Sequence, residues 1–164
     1  MIKCLENKSI YQSEIESKKN KENNKIIVGI SGSYLDDNLI KNAIEISDEN
    51  TEICLLYVII IPKSKALDIE DEKSFTKAEN ILKKLEIKYK KFSNMYGEII
   101  QSRHAGSAII EIININKPKL LIIGANEKEK SEVPIGSNAI YVLNNLNCPT
   151  MIYKKWIRQI KITI

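Results

Sequence analysis

The chain has 164 residues, 43% hydrophobic and 28% charged, a composition that suits one soluble globular domain with a sizeable core. Its formal net charge of +4 comes from lysines interleaved with acids, not from a basic block, which argues against a nucleic-acid-binding surface. No run reaches the ~18 apolar residues of a membrane span, and the first residues are too polar for a signal peptide.

Residues 1–24 are rich in Lys, Glu, Asn and Ser. They hold too few apolar side chains to offset their ordering entropy, so a mobile N-terminal tail is expected there. Lys25 to Ile30 is the first apolar strand and breaks at Ser31-Gly32-Ser33. A helix follows from Asp36 to Ser47, with Leu39, Ile40, Ala43 and Ile44 on one face and two acids in its first turn. Glu52 to Ile61 reads as a fully apolar strand stopped by Pro62. Phe75, Ala78, Leu82, Leu85, Tyr89 and Phe92 recur at spacings of three and four. That pattern predicts a long helix from Asp71 to Tyr96, with Gly97 just beyond its end.

Glu98 to His104 is a less apolar strand, expected nearer a sheet edge. Ala105-Gly106-Ser107 leads into a short helix through Ile115, which Asn116 and Pro118 end. Leu120 to Ile123 is a continuous apolar run ending at Gly124, as suits a parallel strand covered on both faces. A polar loop leads to Gly136-Ser137, where a helix to Asn145 should start, with Ser137 placed to cap it and with free N–H groups that suit an anion. Thr150 to Lys154 is the last strand. In residues 155–164, Ile160, Ile162 and Ile164 fit a strand, whereas Trp156, Ile160 and Ile164 fit a helical face. Both readings stay open, and the apolar tail hints at packing on a partner or on the protein itself. The order β-α-β-α-β-α-β-α-β predicts an α/β fold, a five-stranded parallel sheet with helices on both faces. Its ligand site is expected beyond the C-terminal strand ends.

Few residues carry obvious chemistry. Cys4, Cys54 and Cys148 are odd in number and far apart, which suits reduced thiols in the cytoplasm. His104, the sole histidine, has no matched acid or nucleophile and reads as structural. No His or Cys pair has metal-ligand spacing, so no metal site and no catalytic residue is assigned.

The segments KIIVGISGSYLDDNLIKNAIEIS, HAGSAIIEIININKPKLLIIGAN and GSNAIYVLNNLNCPTMIYKK, in that order and spacing, resemble the universal stress protein (UspA-like) family across residues 25–155. Residues 1–24 and 156–164 then read as extensions. The resemblance implies a Rossmann-like three-layer sandwich of the adenine nucleotide alpha-hydrolase type, a homodimer and a role in stress adaptation. In one branch of the family it also implies bound ATP or AMP with Mg²⁺. That branch carries G-x2-G-x9-G-[ST]. Gly124 matches the first glycine, and Gly136 and Ser137 match the last pair. Glu127 stands at the middle glycine and the loop is one residue short. The family's acid at the end of strand one is Ser31 here.

If a nucleotide is held, the residues placed to hold it are Ser31, Gly32, Ile59, Gly124, Asn126, Gly136 and Ser137. A carboxylate at Glu127 opposes a polyanion, so the leading expectation is a regulatory or interaction module with adenine nucleotide binding weakened or lost. One alternative is an ATP/AMP-binding switch with slow hydrolysis at most. Another is a scaffold that recruits a protein partner through its tails. Ser31-Gly32-Ser33 also partly matches the S-G-G-x-D-S loop of pyrophosphatase-type ATP enzymes, but its third residue is serine and its acid falls one place late, at Asp36.

Overall fold

A computed structural model describes residues 24–64, 71–125 and 135–154. The tails at 1–23 and 155–164, and Asn126 and Glu127 in the loop before the last helix, lie outside the described residues. The strands are β1 (Lys25–Ile30), β2 (Glu52–Ile60), β3 (Met95–Ser102), β4 (Leu120–Gly124) and β5 (Thr150–Tyr153). The helices are α1 (Asp36–Ile46), α2 (Glu72–Lys88), α3 (Ala105–Asn116) and α4 (Ser137–Asn145). All strand pairs are parallel, in the order β3-β2-β1-β4-β5.

The apolar runs are explained by two covered faces. On β4, Ile122 joins Ile26, Val28 and Leu55 against Leu39 and Ile40 of α1 and Leu82 of α2. Its neighbours Leu121 and Ile123 turn the other way, toward Ile109 and Ile113 of α3 and Val142 of α4. Successive strand side chains alternate faces, so a strand sandwiched between helix layers has no position left for a polar residue. No helix among the described residues is long and apolar enough to cross a membrane.

The segment 71–104 departs from the sequence reading. The helix stops at Lys88, not Tyr96, and β3 begins at Met95, not Glu98. The periodicity through Phe92 is real, but Phe92 lies in a turn and is exposed. Pairing won over propensity, because β3 places Met95 to Ser102 beside Ile53 to Ile60. Gly97 is therefore a strand residue and not a helix terminator. A Cβ there would sit 3.0 Å from Leu82 Cδ1, so the glycine lets α2 lie close on the sheet, and its N–H donates to Glu86 Oε1 at 2.9 Å. The expected edge position of this strand holds, since β3 pairs with β2 alone.

Two polar clusters tie the elements together. Lys119 Nζ donates to Asn24 Oδ1 at 2.7 Å and to Thr51 Oγ1 at 2.8 Å, joining the chain before β1, β2 and β4 at their N-terminal ends. Asp37 of α1 receives Lys88 Nζ at 2.6 Å and the Tyr89 hydroxyl at 3.1 Å, joining α1 to α2. Lys88 holds the Asp37 carboxyl below its usual range, with Tyr89 adding to the effect. Burial and then Asp37 push the Tyr89 phenol up to about 12. A depressed carboxylate stabilises the fold above the unfolded pKa of ~3.9, and that contribution is lost as pH falls through the lower folded value. Both side chains are about half exposed. Asp37→Asn should therefore cost at most ~1 kcal/mol at pH 7, and the gap to wild type should narrow as pH falls below ~3.9 in urea titrations.

Candidate functional site

The chain runs outward from β1 to β2 to β3, then returns across the sheet to β4 on the other side of β1. At this reversal the loops leaving β1 and β4 diverge and leave a crevice at the C-terminal strand ends. A cleft of about 730 Å³ lies there, a size that suits a small-molecule site. Its apolar surface comes from Leu56 and Val58 of β2, Ile109 of α3 and Ile123 of β4. The turn after β1 contributes Ser31 and Ser33, and the start of α4 contributes Gly136, Ser137 and Asn138. No Lys, Arg or His lines it among the described residues.

Of the residues singled out from sequence, Ser31, Gly124, Gly136 and Ser137 come together around this cleft. Ile59 does not line it. Its side chain packs with Ile61 and Ala78 on the α2 side, while Val58 and Ile60 on either side of it reach the cleft. Gly32 is also outside the lining. It adopts φ +76°, and a Cβ there would meet Ile81 Cδ1 at 2.8 Å, so only glycine fits this turn without strain. His104 precedes α3 and is exposed; its neighbour Ala105 lines the cleft and His104 does not. Cys54 is a buried thiol, pushed up to about 12 by burial and then by Glu98, as suits an inert core residue.

Two glycines have roles that differ from the sequence reading. Gly136, not Ser137, is the N-cap of α4, and being glycine it supplies no capping side chain. Among the described residues no side-chain acceptor meets the first N–H groups of α4, which start at the cleft wall and carry the positive end of the helix dipole. Gly124 lines the cleft but is also a packing residue, since a Cβ there would lie 3.2 Å from Leu35 Cδ1.

The sequence reading placed Asp36 as a favourable helix-dipole charge and as the late acid of a partial S-G-G-x-D-S match, and did not foresee its contacts with the turn after β1. Asp36 is 4% exposed, and its carboxylate accepts from Gly32 N at 2.7 Å, Ser33 N at 3.1 Å and Ser31 N at 3.3 Å. The turn after β1 would otherwise present these three N–H groups to an anion; here they already hold one. Burial raises the Asp36 carboxyl above its ordinary range, against the opposing pull of the donors from Ser31, Gly32 and Ser33. The signal was present as S-G-S-x-x-D, in which a glycine at positive φ folds the turn back on the acid.

The cleft thus has two unlike walls. One has N–H groups and a helix dipole to offer; the other has its backbone donors committed to an internal carboxylate. Among the described residues, no group of three His, Cys, Asp or Glu side chains could hold a metal ion.

Residues 22–154 match the universal stress protein family. No curated protein matches the chain in sequence. Among solved structures, the chain is similar to universal stress protein UspA from Lactobacillus plantarum, with 19% identity, TM-score 0.64, and coverage of 78% of this chain and 95% of that one. It is similar to the universal stress protein from Archaeoglobus fulgidus in complex with dAMP, at 14% identity and TM-score 0.61, covering 78% and 95% of the two chains. It is also similar to a universal stress protein family protein from Arabidopsis thaliana with AMP bound, at 17% identity and TM-score 0.58, covering 80% and 91%. At these identities the likeness establishes the fold.

Proposed function

The chain belongs to the universal stress protein family, and we propose that it acts there as a regulatory or interaction module, not an enzyme, whose cleft accepts the nucleoside part of an adenine nucleotide and grips a triphosphate weakly. The carrying observation is the pair of unlike walls. The α4 start can receive one anionic group, whereas the backbone donors after β1 are occupied by Asp36. The apolar side chains between them suit a flat base.

A triphosphate needs further neutralisation. The loop 126–134 supplies Lys128 and Lys130 but also Glu127, Glu129 and Glu132, so its charges sum to minus one. The structures with dAMP and AMP bound support a nucleotide as the ligand class. A homodimer belongs to this reading on the family resemblance alone. The start of α4 at the cleft wall favours a second reading, an ATP-binding switch in which Gly124, Gly136 and Ser137 hold the phosphates.

Protein purified without added nucleotide and then denatured separates the two readings. Mass spectrometry should find well under one equivalent of ATP. One full equivalent of ATP per chain would favour the switch.

A further inference from the structure

Asp36 has a second set of contacts, which concern what the β1 side of the cleft can recognise. Besides the three N–H groups, its carboxylate accepts from Ser33 Oγ at 3.2 Å and from Ser31 Oγ at 3.4 Å. A serine hydroxyl has one hydrogen to donate and two lone pairs to accept with. Both hydroxyl hydrogens are therefore directed at Asp36. Ser33 Oγ further accepts from Leu35 N at 3.3 Å, which uses one of its lone pairs. Ser31 and Ser33 line the cleft, whereas Asp36 sits behind them, almost fully buried. What this wall can still offer a ligand is serine lone pairs, backed by a buried carboxylate.

We propose that Asp36 is a positioning residue that sets the ligand's orientation and class, by making the β1 wall an acceptor-only surface with a negative charge behind it. Such a wall takes the donor-bearing neutral part of a ligand, sugar hydroxyls or an amino group, and rejects phosphate. The anionic end of the ligand then lies at Gly136, Ser137 and Asn138 across the cleft, where helix N–H groups and dipole receive it. This deepens the function proposed above and rests on it for the identity of the neutral group. The state of the β1 turn does not depend on that identity.

Asp36→Asn tests the device with little change in shape. The amide can still accept hydrogen bonds, but it carries no charge and cannot hold all three N–H groups and both hydroxyls. In wild type, inorganic pyrophosphate should leave the Ser31, Gly32 and Ser33 amide signals unmoved in heteronuclear NMR; in Asp36→Asn it should shift them. By calorimetry, the ratio of ATP to adenosine affinity should rise at least ~10-fold in the variant, ~1.4 kcal/mol. A purely structural role would lower the melting temperature and leave that ratio and those amides as they were, and such a result overturns the proposal. If wild type binds neither adenosine nor AMP, the function proposed above fails, while the pyrophosphate response still decides the role of Asp36.

The double variant Ser31→Ala/Ser33→Ala covers the case in which Asp36→Asn does not fold. It leaves Asp36 and the three N–H groups in place, so adenosine should weaken ~10-fold with the amides still silent to pyrophosphate. Unchanged adenosine affinity, or amides that now respond, would overturn the proposal.

Discussion

Ile122→Ala should lower folding stability by about 3 kcal/mol, read from the shift of the urea midpoint at unchanged slope. Ile122 is fully buried, pairs with Val28 on β1, and packs in the cluster that joins β1 and β2 to α1 and α2. Cutting it to alanine removes apolar contacts and opens a cavity that a sheet held between two helix layers cannot collapse to fill. Against a total of roughly 5–15 kcal/mol for a domain, that loss is a large share. Ile115→Ala is the matched control. Ile115 is 69% exposed, so the same truncation there should change stability by no more than ~0.5 kcal/mol. Equal costs at the two sites would mean that the central strands are not sandwiched as described.

Gly136→Trp should abolish ligand binding and leave the fold intact. Gly136 has φ −60° and ψ 150°, an extended conformation open to any residue, so the backbone tolerates the change. Gly136 lines the cleft and is the N-cap of α4, so a side chain added there stands at the cleft wall. An indole at this point would crowd the cleft beside the first N–H groups of α4. AMP affinity should fall at least ~100-fold, about 2.7 kcal/mol, with the melting temperature within a few degrees of wild type. AMP binding that survives this substitution would place the nucleotide elsewhere.

Much of the fold was legible because its signals are local. β1 and α4 have the bounds that their apolar runs and glycines predict, and the continuous run 120–123 announced a strand covered on both sides. The region 71–104 was misread because two signals compete there. Tyr89 and Phe92 prolong a helical period, but Tyr89 turns its hydroxyl to Asp37 and the chain needs Met95 onward for pairing with β2. No window of sequence contains that partner. The glycine at 97 carries the same lesson, since it marks contact with Leu82 and not a helix end.

The candidate site was half legible. Ser31, Gly124, Gly136 and Ser137 surround one cleft, as their places at strand ends and at a helix start imply. Ile59 was placed one residue out of phase, because its position was inferred from the strand's end and not from which face each side chain takes. Asp36 was overlooked as a site residue because its importance lies in what it withholds. A carboxylate that satisfies five donors five residues or fewer away looks, in sequence, like any acid at a helix start.

The direct test of a cleft with one receptive wall and one filled wall is calorimetry of AMP and ATP, each with Mg²⁺, on the full chain. AMP should bind at least as tightly as ATP, because no Lys, Arg or His among the described lining residues meets the added phosphates. ATP binding 100-fold tighter than AMP would contradict the account.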